Sequence, residues 1–126
     1  MLQDYKPQLD TPKRQGRLAL VYAQVTFASG VATVDTDKSS PRVTFAKTGT
    51  GLYTMTFPKC VFAHLLSVEV ANSAGGIGNA GYLLTLTPSS GGVGTATFEF
   101  DVNTAAATAA DPADTCRAYI TLLIGN

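Results

Sequence analysis

The stretch that most restricts the fold runs from Pro41 to Ala71, PRVTFAKTGTGLYTMTFPKCVFAHLLSVEVA. Val43 and Phe45 alternate with polar neighbours. Lys47-Thr48-Gly49-Thr50-Gly51 then supplies two glycines for a tight reversal, and Leu52 to Phe57 returns rich in aromatic residues and threonine. Side chains alternate between the faces of a strand, so this pattern around a glycine-bearing turn predicts a β-hairpin. Pro58 has no N–H to give to a ladder, and pairing is expected to stop there. Val61 to Ala71 then reads as a longer apolar strand.

The rest of the chain repeats the theme. Leu18 to Ala28, LALVYAQVTFA, predicts a long strand, Ser29-Gly30 a turn, Val31 to Val34 a short strand, and Asp35 to Pro41 a polar loop. Ala71 to Gly81 is a glycine-rich loop, Tyr82 to Thr87 a strand, and Pro88 to Gly92 a turn. Val93 to Val102 alternates cleanly, with Phe98 and Phe100 on one face and Glu99 and Asp101 on the other, read as solvated. Asn103 to Asp114 is an Ala/Thr loop in which threonine and Asp111-Pro112 oppose a stable helix. Cys116 to Ile124 closes the chain as a strand apolar on both faces, expected to be covered on both, inside a sandwich or at a subunit contact. About eight short strands between turn signals predict an all-β, jelly-roll-like β-sandwich.

A chain of 126 residues suits one domain that can bury a core without metal or disulfide staples. Residues 1–17 read as an extended N-terminal arm and 18–126 as the β-sandwich domain. Pro7 and Pro12 break any ladder in the arm, and Lys6, Lys13, Arg14 and Arg17 outnumber Asp4 and Asp10. The arm, with Tyr5 and these four cations, is expected to order on a neighbouring subunit; a frayed, solvated terminus is the plainer alternative. Charged residues are only 14% of the chain, against roughly 25% in an ordinary soluble domain. With so little solvated surface, part of the exterior is expected to be covered by copies of the chain or by a partner. The formal net charge of zero supplies no global field for nucleic acid or membrane, and suits a protein held in an assembly.

Catalytic and metal signals are weak. Gly76-Ile77-Gly78-Asn79-Ala80-Gly81 matches the dinucleotide fingerprint in letters, but a strand-like run ending in Pro88 follows where a helix would have to start. His64 is the only histidine, and Cys60, His64 and Cys116 make at most a sparse ligand set. If residues 60–64 are extended, Cys60 and His64 share a face roughly 13 Å apart, too far for a nucleophile pair. No G-x-S-x-G elbow is present. The expectation is therefore no catalytic, cofactor or metal residue and no small-molecule substrate. The two cysteines do not make a disulfide framework, and residues 1–10 lack an apolar signal core. Free thiols and synthesis as a soluble cytoplasmic chain follow. The longest apolar runs, such as Leu18 to Ala23, are too short to span a bilayer. Tyr22, Tyr53, Tyr82 and Tyr119 fall in strands, where core or interface packing is expected over sugar binding.

Val43 to Val70 resembles a module recurrent in bacteriophage virion proteins, through Val43, Phe45, Gly49-Thr50-Gly51, Tyr53-Thr54 and Phe57, then Val68 and Val70. The loop from Asp111-Pro112 into the apolar strand ending at Ile124 fits it too. In tail-fibre tips and head-surface proteins this module resembles a C1q- or jelly-roll-like sandwich that trimerises. With only about 17 residues ahead of the domain and no shaft repeats, the chain looks more like a capsid decoration or cement protein. The resemblance implies a homotrimer on the outer surface of a phage head, binding the major capsid protein at capsomer junctions. Tyr22, Phe27, Phe45, Tyr53, Phe57, Phe98, Phe100 and Tyr119 would supply core and trimer packing, and Tyr5, Lys6, Lys13, Arg14 and Arg17 capsid or inter-subunit contacts. The alternative is a receptor-binding tip gripping host glycans with the loops 35–40, 72–81 and 89–92.

Overall fold

The computed structural model describes residues 18–72, 79–90, 92–102, 108–114 and 116–125. Among these residues the structure is all strand, turn and loop, with no helix. The strands are β1 (Leu18–Ala28), β2 (Val31–Val34), β3 (Thr44–Gly49), β4 (Leu52–Pro58), β5 (Phe62–Asn72), β6 (Asn79–Ser90), β7 (Val93–Val102), the two-residue β8 (Thr108–Ala109) and β9 (Cys116–Gly125). They form two antiparallel sheets. The first has the order β2-β1-β9-β5, and the second β3-β4-β7-β6 with β8 added on β7. Late strands lie between early ones: β9 between β1 and β5, β7 between β4 and β6. This interleaving gives the jelly-roll-like β-sandwich expected from the turn spacing.

Local sequence sets the reversals. Ser29 and Gly30 both adopt positive φ, 52° and 77°, the two-residue turn whose twist matches a hairpin. Gly51 takes φ 69° between β3 and β4. A Cβ there would fall 2.6 Å from the Ala110 nitrogen and 2.8 Å from the Phe100 carbonyl oxygen, so the position demands glycine twice over. β2 pairs only with Val25–Ala28 of β1. The loop after β2 takes over further along that edge. The Asp35 N–H donates to the Gln24 carbonyl at 2.8 Å and the Ser40 N–H to the Tyr22 carbonyl at 2.7 Å. Ser40 and Ser39 hydroxyls accept from the Tyr22 and Gln24 N–H groups at 2.8 and 2.9 Å. A polar loop thus satisfies backbone groups that a missing strand would leave open.

The core fills the space between the sheets. Phe27, Phe45, Tyr53, Phe57, Phe98 and Phe100 are all buried, joined by Val21, Ala23, Val25 and Met55 and by Ala118, Ile120, Leu122 and Ile124 of β9. Each such large apolar side chain contributes about 1.5–3 kcal/mol when fully buried.

Several expectations change. β6 is longer at both ends than the expected Tyr82–Thr87, beginning at Asn79 within the expected glycine-rich loop and running through Pro88 to Ser90, and the short β8 falls within the expected Ala/Thr loop. β6 is an edge strand, so the N–H that proline lacks is one the ladder does not need, and the register shifts between Thr87 and Ser90. Of the two ways expected to cover both faces of β9, burial inside the sandwich does not hold: its inner face is buried, and Tyr119, Thr121 and Leu123 on the other face are half-buried. Asp101 is buried at 6% exposure rather than solvated.

Gly94 provides a test of the packing. A Cβ on it would lie 2.1 Å from Phe57 Cε2 and 2.5 Å from the Pro88 carbonyl oxygen. Gly94→Ala is expected to destabilise the domain by about 1–3 kcal/mol through overpacking, measurable by urea unfolding.

Candidate interaction surface

The outer face of the first sheet is built by the pleat. Val21, Ala23 and Val25 point inward, so Leu18, Leu20 and Tyr22 point outward. The register sets Leu20 beside Leu123 and Leu123 beside His64, then Tyr22 beside Thr121 and Thr121 beside Ser67. Leu18 and Leu20 are 58% and 63% exposed. Leu66, where the β5 register shifts, is 54% exposed. At one end Gly125 carries no side chain, and the Phe62 ring and Leu18 side chain close over it. A Cβ there would fall 2.4 Å from Phe62 and 3.1 Å from Leu18 Cδ2. The His64 ring is exposed and tilted beside Phe62, centroids 5.4 Å apart. Among the described residues of these strands, charge enters this face toward its other end, at Glu69 and Arg117. An exposed, nearly uncharged sheet face of this kind is suited to contact with another apolar surface.

One end of the sandwich is tied by a polar cluster. Asp111 Oδ2 accepts from Lys47 Nζ at 2.6 Å, and its Oδ1 accepts from the Gly51 N–H at 2.8 Å. The Tyr53 hydroxyl donates to the Gly30 carbonyl at 2.6 Å and lies 3.4 Å from Asp111 Oδ1. The Ser29 N–H donates to Asp114 Oδ1 at 2.8 Å. The hydrogen bond from Lys47, then that from Gly51, hold the Asp111 carboxyl below its ordinary pKa. Burial, then the charge of Asp111, push the Tyr53 phenol up to about 12. The loop 110–114 is thereby locked onto the β1–β2 and β3–β4 turns.

The outer face of the second sheet is different in kind. Thr44, Thr56, Thr95 and Thr87 form one rung across β3, β4, β7 and β6, and Thr54, Thr97 and Thr85 most of the next. The Thr44 and Thr56 hydroxyls hydrogen-bond to each other. Beyond these rungs Glu99 sits between Leu52 and Tyr82, and Asp101 between Ala80 and Ala109. Partial burial, then the charge and hydrogen bond of Asp101, raise the Glu99 pKa.

Of the eight aromatics assigned to core and trimer packing, Phe27, Phe45, Tyr53, Phe57, Phe98 and Phe100 lie in the core. Tyr22 and Tyr119 do not. Tyr22 is 37% exposed and Tyr119 half-buried, both on the outer face of the first sheet, because their strand positions have the parity opposite to the core residues. Tyr5, Lys6, Lys13, Arg14 and Arg17 lie outside the described residues, as do Gly76 and Gly78 of the glycine-rich match. Gly81 of that match belongs to β6, packed against Phe100.

Cys60 and Cys116 are buried thiols that form no disulfide with each other. The Cys60 thiol donates to the Pro88 carbonyl at 3.0 Å, and burial pushes its pKa up. It lies before the start of β5, so it shares no strand face with His64: one is buried, the other exposed. Among the described residues no group of three or more His, Cys, Asp or Glu is placed to hold a metal ion. The Lys47–Asp111 pair was invisible in the sequence, because its members are separated by 64 positions and meet only when the loop closes over the turns. Comparisons with protein-family models, curated proteins and solved structures gave no match.

Asp111 makes the pH behaviour testable. Its carboxyl is depressed in the folded state, so its contribution is present above the ordinary carboxylate pKa and is lost as pH falls through the depressed value. Asp111→Asn is expected to lower stability at neutral pH by on the order of 1–2 kcal/mol, the Lys47 end being open to solvent. The deficit relative to the wild type should shrink below about pH 4 in urea melts across a pH series.

Proposed function

We propose that this chain is a structural virion protein: a capsid decoration protein that assembles as a homotrimer on the outside of a phage head and reinforces capsomer junctions. The observation that carries the reading is the outer face of the first sheet, where Leu18, Leu20, Tyr22 and Leu66 stand exposed in a chain with only 14% charged residues. Such a face favours association with copies of itself. The two tyrosines that the core does not use, Tyr22 and Tyr119, are on this face and serve the trimer contact.

The arm, through Tyr5, Lys6, Lys13, Arg14 and Arg17, reaches the major capsid protein or a neighbouring subunit. The mechanism is mechanical rather than catalytic. A trimer that engages several capsomers at once holds them together by effective concentration, so weak single contacts sum to a strong clamp.

A second reading, a fibre-type protein contacting host surface glycans, is favoured by Tyr82. It is 49% exposed beside the Glu99 carboxyl, and an aromatic ring next to a carboxylate is a pairing that sugars accept.

Copy number in purified virions, by quantitative mass spectrometry against the shell protein, separates the two. Abundance comparable to the shell protein is expected for decoration. A few copies per particle would transfer the protein to the tail, and absence would end the virion reading. For assembly, Leu20→Glu is expected to convert the trimer to monomer in light scattering with an unchanged circular dichroism spectrum. A variant that stays trimeric would remove this face from the interface.

A further inference from the structure

We infer that Glu99 and Asp101 form a binding site for a hard divalent cation of the calcium class on the outer face of the second sheet. The two residues are two apart on β7 and therefore project from the same face. They sit on adjacent rungs of the ladder, Glu99 opposite Leu52 and Tyr82, Asp101 opposite Ala80 and Ala109. Asp101 is only 6% exposed, and its Oδ1 is buried without a hydrogen-bond partner.

A buried carboxylate oxygen with no donor, held next to a second carboxyl, is an expensive arrangement. Among the described residues, none of its cross-strand neighbours relieves it. Cross-strand from Glu99 stand Leu52 on β4 and Tyr82 on β6, and cross-strand from Asp101 stand Ala80 on β6 and Ala109 on β8. None of the four is cationic. Lys47 of the same sheet is engaged with Asp111 at 2.6 Å. A dication cancels the paired negative charge and gives the Oδ1 atom a partner, which is the compensation that carboxyl pairs of this kind find.

The ligand chemistry selects among cations. Two carboxylates offer oxygen donors only, which excludes soft metals that prefer thiolate or imidazole. Ca2+ accepts irregular geometry with water or main-chain oxygens completing its shell, whereas Mg2+ demands a near-ideal octahedron and gives up water reluctantly. With two acidic side chains, the expected affinity is in the weak range of extracellular modules, about 10⁻⁴–10⁻³ M. The inference is independent of the decoration reading, because it concerns the face opposite to the one assigned to the trimer.

Tyr82, directly across from Glu99, supplies a spectroscopic probe, since tyrosine sensitises Tb3+ luminescence at short range. The full chain is titrated with Tb3+, and Ca2+ is then added in excess. Sensitised emission that saturates and is displaced by Ca2+ is expected. Asp101→Asn and Glu99→Gln, close in shape to the native residues, should each weaken binding at least about tenfold. Tyr82→Phe should lose most of the emission while keeping the Ca2+ heat seen by calorimetry.

A Ca2+-dependent rise in the unfolding temperature, present in the wild type and absent in Asp101→Asn, is the second readout. Emission that survives the double variant, or no Ca2+-dependent rise at concentrations well above the expected dissociation constant, overturns the site. If Ca2+ has no effect and the two variants alter only the dependence of stability on pH, the pair is held by a shared proton instead, and the proposal fails.

Discussion

Tyr53 is the residue on which the two halves of this architecture depend. Its ring packs edge-on against Phe27 at 5.4 Å and Phe100 at 5.5 Å and stacks on Phe45 at 5.6 Å, so it ties β1 of one sheet to β3, β4 and β7 of the other. Its hydroxyl leaves the core at the sandwich end and donates to Gly30. An aromatic body with a polar tip is what such a boundary requires, because the ring can be dry only if the oxygen is satisfied. Around that oxygen Asp111 collects Lys47 and the Gly51 amide. The hydrophobic core and the loop closure therefore meet in one side chain. Each supports the other, since a fixed loop end keeps water from the ring cluster and a fixed ring positions the hydroxyl.

The two exposed sheet faces follow from the same pleat but carry different chemistry. Once the inner residues are committed to the core, the outward residues are free to be selected for something else. On the first sheet they are leucine and tyrosine with little charge; on the second they are rungs of threonine ending in a carboxyl pair. Threonine suits a strand that stays wet, because its branched side chain fits the pleat and its hydroxyl remains solvated or pairs across the ladder. The contrast is one of degree, since Tyr82, Leu84 and Val93 also stand exposed on β6 and β7 of the second sheet.

The sheet edges are closed by polar contacts, proline and a register shift. β1 would expose open backbone where β2 stops, and Ser39, Ser40 and Asp35 close it without adding a strand. β6, at an edge of the second sheet, carries Pro88, and β5, at an edge of the first, carries a register shift at Leu66. Proline and bulges of this kind discourage uncontrolled strand addition.

Much of the fold was legible because period-two alternation and turn residues are local signals. The Lys47–Gly51 reversal, the Ser29-Gly30 turn and the inward set Phe98 and Phe100 follow from neighbours a few positions apart. The eight aromatics were assigned jointly to core and trimer packing; that six of them lie in the core while Tyr22 and Tyr119 face outward was decided by the register, since an aromatic in a strand has the same propensity on either face. The closure of Asp111 over Gly51 and the burial of Asp101 were decided by tertiary structure alone. Both depend on which strand lies next to β7 where β4 ends, and no local pattern encodes that neighbour. By itself the sequence determined a sandwich of alternating strands with few charges. The three-dimensional packing decided which outward residues form an apolar face and which carboxyls are forced together.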